Sequence, residues 1–102
     1  MIQYEFSGVS GSIWLSGTVG IKEAAELTGV LSEAIAHQGA VAVGATGLEA
    51  ADASLLQLLL SAGLSCQRQG KDWSVFPSAA LREAADLAGI ASEDLVGWRP
   101  LQ

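Results

Sequence analysis

Residues 53–64 leave this chain few ways to fold, because Leu55, Leu56, Leu58, Leu59, Leu60, Ala62 and Leu64 crowd apolar groups around most of one helix. A helix that is apolar nearly all round is either buried on several sides or offers one side to a partner. Just upstream, Ala40-Val41-Ala42-Val43 is the short apolar run expected of a central strand buried on both faces. Gly44-Ala45-Thr46-Gly47 is expected to end it.

The flanking segments repeat this alternation. Residues 3–6 suit a short strand with Ile2, Tyr4 and Phe6 on one side and Gln3 and Glu5 on the other, and residues 7–11 read as a turn. Residues 12–16 form a second strand stopped by Gly17, so the two are expected to pair as an antiparallel hairpin. From Ile21 the period changes, with Ile21, Ala24, Ala25, Thr28, Leu31, Ala34 and Ile35 predicting the apolar stripe of an amphipathic helix. Lys22, Glu23, Glu26 and Glu33 face away from that stripe. Gly29 lies within it and suggests close approach to the sheet. His37-Gln38-Gly39 reads as its stop, Gly39 supplying a left-handed cap.

After the Leu-rich helix, Gly70-Lys71-Asp72 marks a turn and Trp73-Ser74-Val75-Phe76 a fourth strand. Pro77-Ser78 opens a third helix whose stripe is Leu81, Ala84, Ala85 and Ala88, with Gly89 ending it. In the tail, Ser92-Glu93-Asp94-Leu95 is compatible with one more helical turn, and Trp98 with packing back on the body. The order strand, strand, helix, strand, helix, strand, helix implies an α/β fold: a mixed four-stranded sheet with an N-terminal hairpin and three helices mainly along one face.

Composition narrows the function classes. With 102 residues the chain has room for one domain, 1–102, with a core over about 3–96 and a tail at 97–102. No apolar run approaches the roughly 18 residues needed to span a bilayer. Eleven acidic residues against five basic ones give a net charge of −6, which repels phosphate backbones and argues against nucleic acid and anionic lipid surfaces as partners. One Cys (Cys66) and one His (His37) form neither an internal disulfide nor a structural metal set, so no metal is assigned. The N-terminus lacks the pattern of a secretory signal, and the cytoplasm is the expected compartment.

Three stretches carry a family resemblance that spans residues 3–96. They are Leu15-Ser16-Gly17 leading into the first helix, Val41-Ala42-Val43 followed by Ala51-Asp52-Ala53-Ser54-Leu55-Leu56-Gln57-Leu58-Leu59-Leu60, and residues 71–90 ending in Leu87-Ala88-Gly89-Ile90. Together they resemble a STAS domain, the fold of bacterial anti-sigma factor antagonists, sulfate-transporter C-terminal domains and a phospholipid-transport subunit. Asp52 matches the family's motif Asp, while Ala53 takes the first hydroxyl position, Leu55 replaces the usual Gly and Gly44 stands where many relatives have Asp. In the antagonists, the serine two residues after the motif Asp is phosphorylated by a partner kinase. Ser54 occupies that position.

Two readings of Ser54 stand side by side. A phosphoryl group there adds roughly −1.5 to −2 charges at a helix N-terminus and makes the surface around Glu49 and Asp52 strongly anionic. Alternatively, Ser54-Leu55-Leu56-Gln57 fits a capping box and Asp52 is itself a good cap, worth about 1 kcal/mol. Elsewhere, His37 reads as a helix-end residue, Cys66 as inert packing, and Glu23, Glu26 and Glu33 as a solvated face. Trp14, Trp73 and Trp98 read as core or rim residues, Trp98 being also a candidate interface anchor. The glycines lack the spacing and Lys of a phosphate-binding loop, so no cofactor is assigned, and no nucleophile and base pair indicates catalysis.

The resulting expectation is a non-enzymatic bacterial signalling module. Its expected contact set is Thr46, Glu49, Asp52, Ser54, Leu55 and Leu58, in the loop before the Leu-rich helix and on that helix. By resemblance the partner is an anti-sigma-type switch kinase or another signalling assembly. The alternatives are an accessory subunit of a phospholipid-transport ATPase and a chemotaxis-associated protein. Apolar crowding on the Leu-rich helix also leaves a homodimer open.

Overall fold

The computed structural model describes residues 1–100, apart from the side chains of Ile21 and Ser92. The predicted place of Ile21 in the first apolar stripe and the last two residues of the tail therefore lie outside the described residues. The elements are β1 (Ile2–Ser7), β2 (Ser10–Val19), α1 (Ile21–His37), β3 (Ala40–Ala51), α2 (Ala53–Arg68), β4 (Asp72–Phe76) and α3 (Ala79–Leu87), followed by a 3-10 turn at Ser92–Asp94. The order and type of the elements match the sequence reading. β1 and β2 form the expected antiparallel hairpin, and β2, β3 and β4 run parallel in a sheet ordered β1-β2-β3-β4.

Two strands are longer than their sequences suggest. β2 continues through Gly17 to Val19, and β3 continues through Gly44 and Gly47 to Ala51. The glycines do not end the ladder. Gly17, at φ 68°, sits where the β2–β3 register shifts and absorbs the irregularity as a bulge. Gly44 pairs with Trp14, and a Cβ there would lie 3.0 Å from the Trp14 ring, so the absent side chain is what lets the indole lie across the neighbouring strand. The segment before α2 is consequently strand, not loop.

The core lies between one face of the sheet and the helices. Ile13, Leu15 and Val19 of β2, Val41, Val43, Ala45 and Leu48 of β3, and Trp73 and Val75 of β4 are buried against Leu27, Leu31, Leu55, Leu59 and Leu81 of the helices. The opposite sheet face is open. There Ala42 and Gly44 are half-buried, while Trp14 and Phe76 are 46% and 43% exposed. The expectation that β3 is buried on both faces is therefore corrected to one face.

Helix faces also differ in detail. The buried side of α1 is Leu27, Val30, Leu31 and Ala34, while Ala25 and Thr28 are exposed, because the larger aliphatic groups claim the sheet and turn the small ones outward. Gly29 is exposed, and nothing approaches it within 4 Å. Nor does Gly39 form a left-handed cap, since α1 ends as Gln38 becomes extended and Gly39 and Ala40 both donate to the Val9 carbonyl. In α3, Leu81 and Ala85 are buried whereas Ala88, the C-terminal cap, is exposed. Gly89 does end that helix, at φ 75°. The tail returns to the sheet: Val75 donates to the Gly97 carbonyl, Arg99 donates to the Val75 carbonyl, and Trp98 packs half-buried against the core.

Candidate functional site

Parallel pairing decides where the helices begin. Thr18 pairs with Ala50 and Val19 with Ala51, so β2 and β3 finish level and deliver the first turns of α1 and α2 to the same end of the sheet. Gly20 and Asp52 cap the two helices. They are neighbours, since a Cβ on Gly20 would lie 3.4 Å from Asp52 Oδ2. The Gly20 amide donates to Glu23 Oε2 at 3.0 Å, and the Leu55 amide donates to Asp52 Oδ1 at 3.0 Å. At the end of β4, the Leu81 amide donates to Ser78 Oγ at 3.1 Å. All three helices thus begin beyond the carboxyl ends of the parallel strands, each first turn satisfied by a side chain of its own segment.

This geometry separates the two readings of the Ser54 region. Asp52 is the cap of α2, and Ser54 is the second residue of the helix, half-buried. The Ser54-to-Gln57 capping box is not the arrangement adopted. Both residue types cap well, and Asp52 wins because its extended backbone, at φ −108° and ψ 178°, aims its carboxylate at the Leu55 amide.

The remaining contact candidates divide. Glu49 and Thr46 are exposed, Leu58 is half-buried and Leu55 is 2% exposed. Leu55 faces the core, so its side chain is unavailable for docking; the burial of Leu55, Leu56 and Leu59 uses much of the apolarity that the sequence left open. Thr46 lies apart from Asp52, in the wall of a cleft of about 730 Å³ with Phe76, Pro77, Ser78 and Arg99. Leu58 borders a shallow groove between α1 and α2 with Thr28, Ser32, Ile35 and Ser61. Thr46 is accessible but belongs to that separate cleft, so Glu49, Asp52, Ser54 and Leu58 remain as the accessible members of the expected set at the end of β3 and along α2, with Glu23 added from α1.

Among the described residues, two ionisable groups have displaced pKa values. The amide hydrogen bonds from Gly20 and Glu23 hold the Glu23 carboxyl below the usual range. Burial pushes the Cys66 thiol up, opposed weakly by Lys71, which keeps it protonated and inert. His37 is exposed in the last turn of α1. Among the described residues, no group of three or more His, Cys, Asp or Glu is placed to hold a metal ion, and no helix is long and apolar enough to cross a membrane.

A family model described as Mlab, STAS domain, matches residues 2–97. The chain belongs to the STAS domain family. No curated protein matches its sequence. Among solved structures, this STAS domain is similar to the unphosphorylated anti-sigma factor antagonist SpoIIAA, with a TM-score of 0.80 at 16% identity over 100% of this chain and 89% of the other. An anti-sigma factor antagonist from Mycobacterium paratuberculosis aligns with a TM-score of 0.78 at 15% identity, over 98% and 85% of the two chains. The phosphorylated form of the Bacillus protein SpoIIAA gives 0.74 at 18% identity, over 88% and 85%. At these identities the agreement concerns the fold, which is the four-stranded mixed sheet and three helices described above.

Proposed function

We propose that this STAS domain is a non-enzymatic regulatory module of the bacterial cytoplasm that binds a switch kinase of the anti-sigma type through the end of β3 and the first turns of α2. Phosphorylation of Ser54 releases the partner. The observation that carries this reading is the placement of Ser54 behind a cap that Asp52 already supplies. Since the Leu55 amide is held by Asp52, the Ser54 hydroxyl is not needed to start the helix. A phosphoryl group there sits in the first turn, where unpaired amides and the helix dipole favour added negative charge.

Its effect on docking is electrostatic. Glu23 and Asp52 both stand beside Gly20 at this end of the molecule and Glu49 is exposed near the end of β3, so a further roughly −1.5 to −2 charges there repel an acidic partner surface and make an apolar one costly to dock. Leu58, one turn further along α2, supplies an apolar contact next to the switch.

Affinity purification from the native cell, with the bound proteins identified by mass spectrometry, tests the proposal. The wild-type chain and Ser54→Ala are expected to recover a kinase, and Ser54→Asp to lose it by tenfold or more. The wild-type chain is also expected to yield a phosphopeptide spanning Ser54. Equal recovery by Ser54→Ala and Ser54→Asp would sink the switch, and binding left unchanged by charge reversal at Glu49 and Asp52 would sink the surface.

A further inference from the structure

The two edges of the sheet are treated differently. Beside β4, the tail lays residues 97–99 along the strand through the hydrogen bonds of Val75 with Gly97 and Arg99. Among the described residues, β1, the other edge, pairs only with β2. Exposed edges are usually blunted by Lys, Pro or a bulge. The β1 sequence Ile2-Gln3-Tyr4-Glu5-Phe6-Ser7 has no Lys or Pro, and its register with β2 is unbroken.

Its backbone alternation fixes what it can pair with. Met1 and Ser16 exchange both of their hydrogen bonds, at 2.7 and 3.0 Å. Bonded pairs alternate in an antiparallel ladder, so Gln3–Trp14, Glu5–Ser12 and Ser7–Ser10 are the other bonded pairs. The amides and carbonyls of Ile2, Tyr4 and Phe6 then point away from β2. Their side chains lie on the helix-bearing face, where Tyr4 is 53% exposed and its ring lies 5.4 Å from that of Phe6. Met1 and Val9, at the two ends of the strand, are also exposed.

We propose that β1 is a self-association edge, through which two copies of this chain pair antiparallel about a two-fold axis at Tyr4. In this register Tyr4 opposes Tyr4 of the second copy, Ile2 opposes Phe6, and Gln3 opposes Glu5. Every outward amide and carbonyl of Ile2, Tyr4 and Phe6 meets a partner. The apolar side chains meet one another on the helix-bearing face, and no like charges oppose one another on the open face. Other registers do worse: centring the axis on Glu5 opposes two carboxylates, and centring it on Gln3 pairs Ile2 with Tyr4 but leaves the outward groups of Phe6 beyond the end of the partner's β1. The second copy is thus the occupant that the charge and hydrogen-bond pattern of the edge selects. A single strand pair buries less than the roughly 1,200 Å² typical of stable complexes, so the dimer is weak and dissociates on dilution. This inference does not depend on the fate of Ser54.

Sedimentation velocity on the purified chain over a concentration series up to about 1 mM tests it, with circular dichroism to establish that each variant is folded. The wild-type chain is expected to dimerise reversibly. Tyr4→Lys sets two ammonium groups opposite each other and is expected to weaken the dimer at least tenfold. Gln3→Lys adds an ion pair to Glu5 on each side of the axis and is expected to tighten it roughly 2- to 30-fold, whereas Gln3→Glu weakens it. The exposed control Gln69→Lys makes the same change in net charge as Gln3→Lys and is expected to leave the dimer unchanged. A wild-type chain monomeric throughout the series overturns the proposal. So does a dimer insensitive to Tyr4→Lys, or tightening by Gln69→Lys equal to that by Gln3→Lys.

Discussion

Asp52 acts first as a cap, and this separates its structural contribution from any role in docking. Its Oδ1 satisfies the Leu55 amide in the opening turn of α2, the helix that carries Leu55, Leu56 and Leu59 into the core. Asp52→Ala is expected to lower unfolding stability by about 1 kcal/mol, while Asp52→Asn, which keeps the acceptor, costs less. Urea unfolding with an unchanged m value checks this, and equal losses for the two variants would show that the carboxylate's charge matters more than its hydrogen bond. Glu23 performs the corresponding task for α1. Because its folded pKa lies below the unfolded one, its contribution is present above the ordinary carboxylate range and fades as pH falls through the lowered folded value. Glu23→Gln is therefore expected to flatten the acid limb of a stability-versus-pH curve; an unaltered limb would remove Glu23 as its source. The sequence marked Asp52 and Ser54 as capping types but did not rank them, since the ranking depends on which residue leaves the strand in the extended conformation. The spacing of Glu23, Glu26 and Glu33 marks only a solvated face, and the return of the Glu23 side chain to the Gly20 amide reveals its role.

At the scale of elements, periodicity, short apolar runs and turn residues together identify every strand and helix, while glycines misplace several boundaries. Gly44 and Gly47 read locally as a turn, yet the ladder passes through them because β2 lies alongside at close range. That information resides in the partner strand and is absent from the local pattern. Gly63 is a related case inside α2. It is buried, and a Cβ on it would come within 2.9 Å of Trp73 Nε1, so this glycine sets how closely α2 approaches β4. Gly63→Ala raises intrinsic helix propensity by up to about 1 kcal/mol, yet the clash with a buried indole costs roughly 1–3 kcal/mol. A net loss in stability is expected. Gly29→Ala, on the exposed face of α1 with nothing within 4 Å, is expected to gain about 0.5–1 kcal/mol instead. Thermal unfolding of the two variants makes the comparison; a stabilising Gly63→Ala would mean that α2 and Trp73 yield at no cost.

For the whole molecule, the order of the elements carries the fold, and Asp52 and Ser54 at the start of α2, with Glu23 in the first turn of α1, carry the candidate site. The treatment of the sheet edges was not legible, because a tail containing one Gly and one Trp gives no periodic signal and its partner is the backbone of β4. The consequence is a difference in assembly. One free edge, at β1, closes as a two-fold pair and leaves nothing further to add. Two free edges do not close, since each added copy presents a new edge to the next. Ending the chain after Val96 removes Gly97 and Arg99 from Val75 and also takes Trp98 off the core. Two effects are expected: a loss of unfolding stability from the lost Trp98 burial, and species larger than a dimer that grow with concentration. The full-length variant Trp98→Ala separates them, since it loses the ring and retains the backbone bonds that cover β4. It is expected to be destabilised without growing past the dimer in sedimentation velocity. If the shortened chain also stops at the dimer, the tail contributes packing alone and the β4 edge is protected by its own shortness.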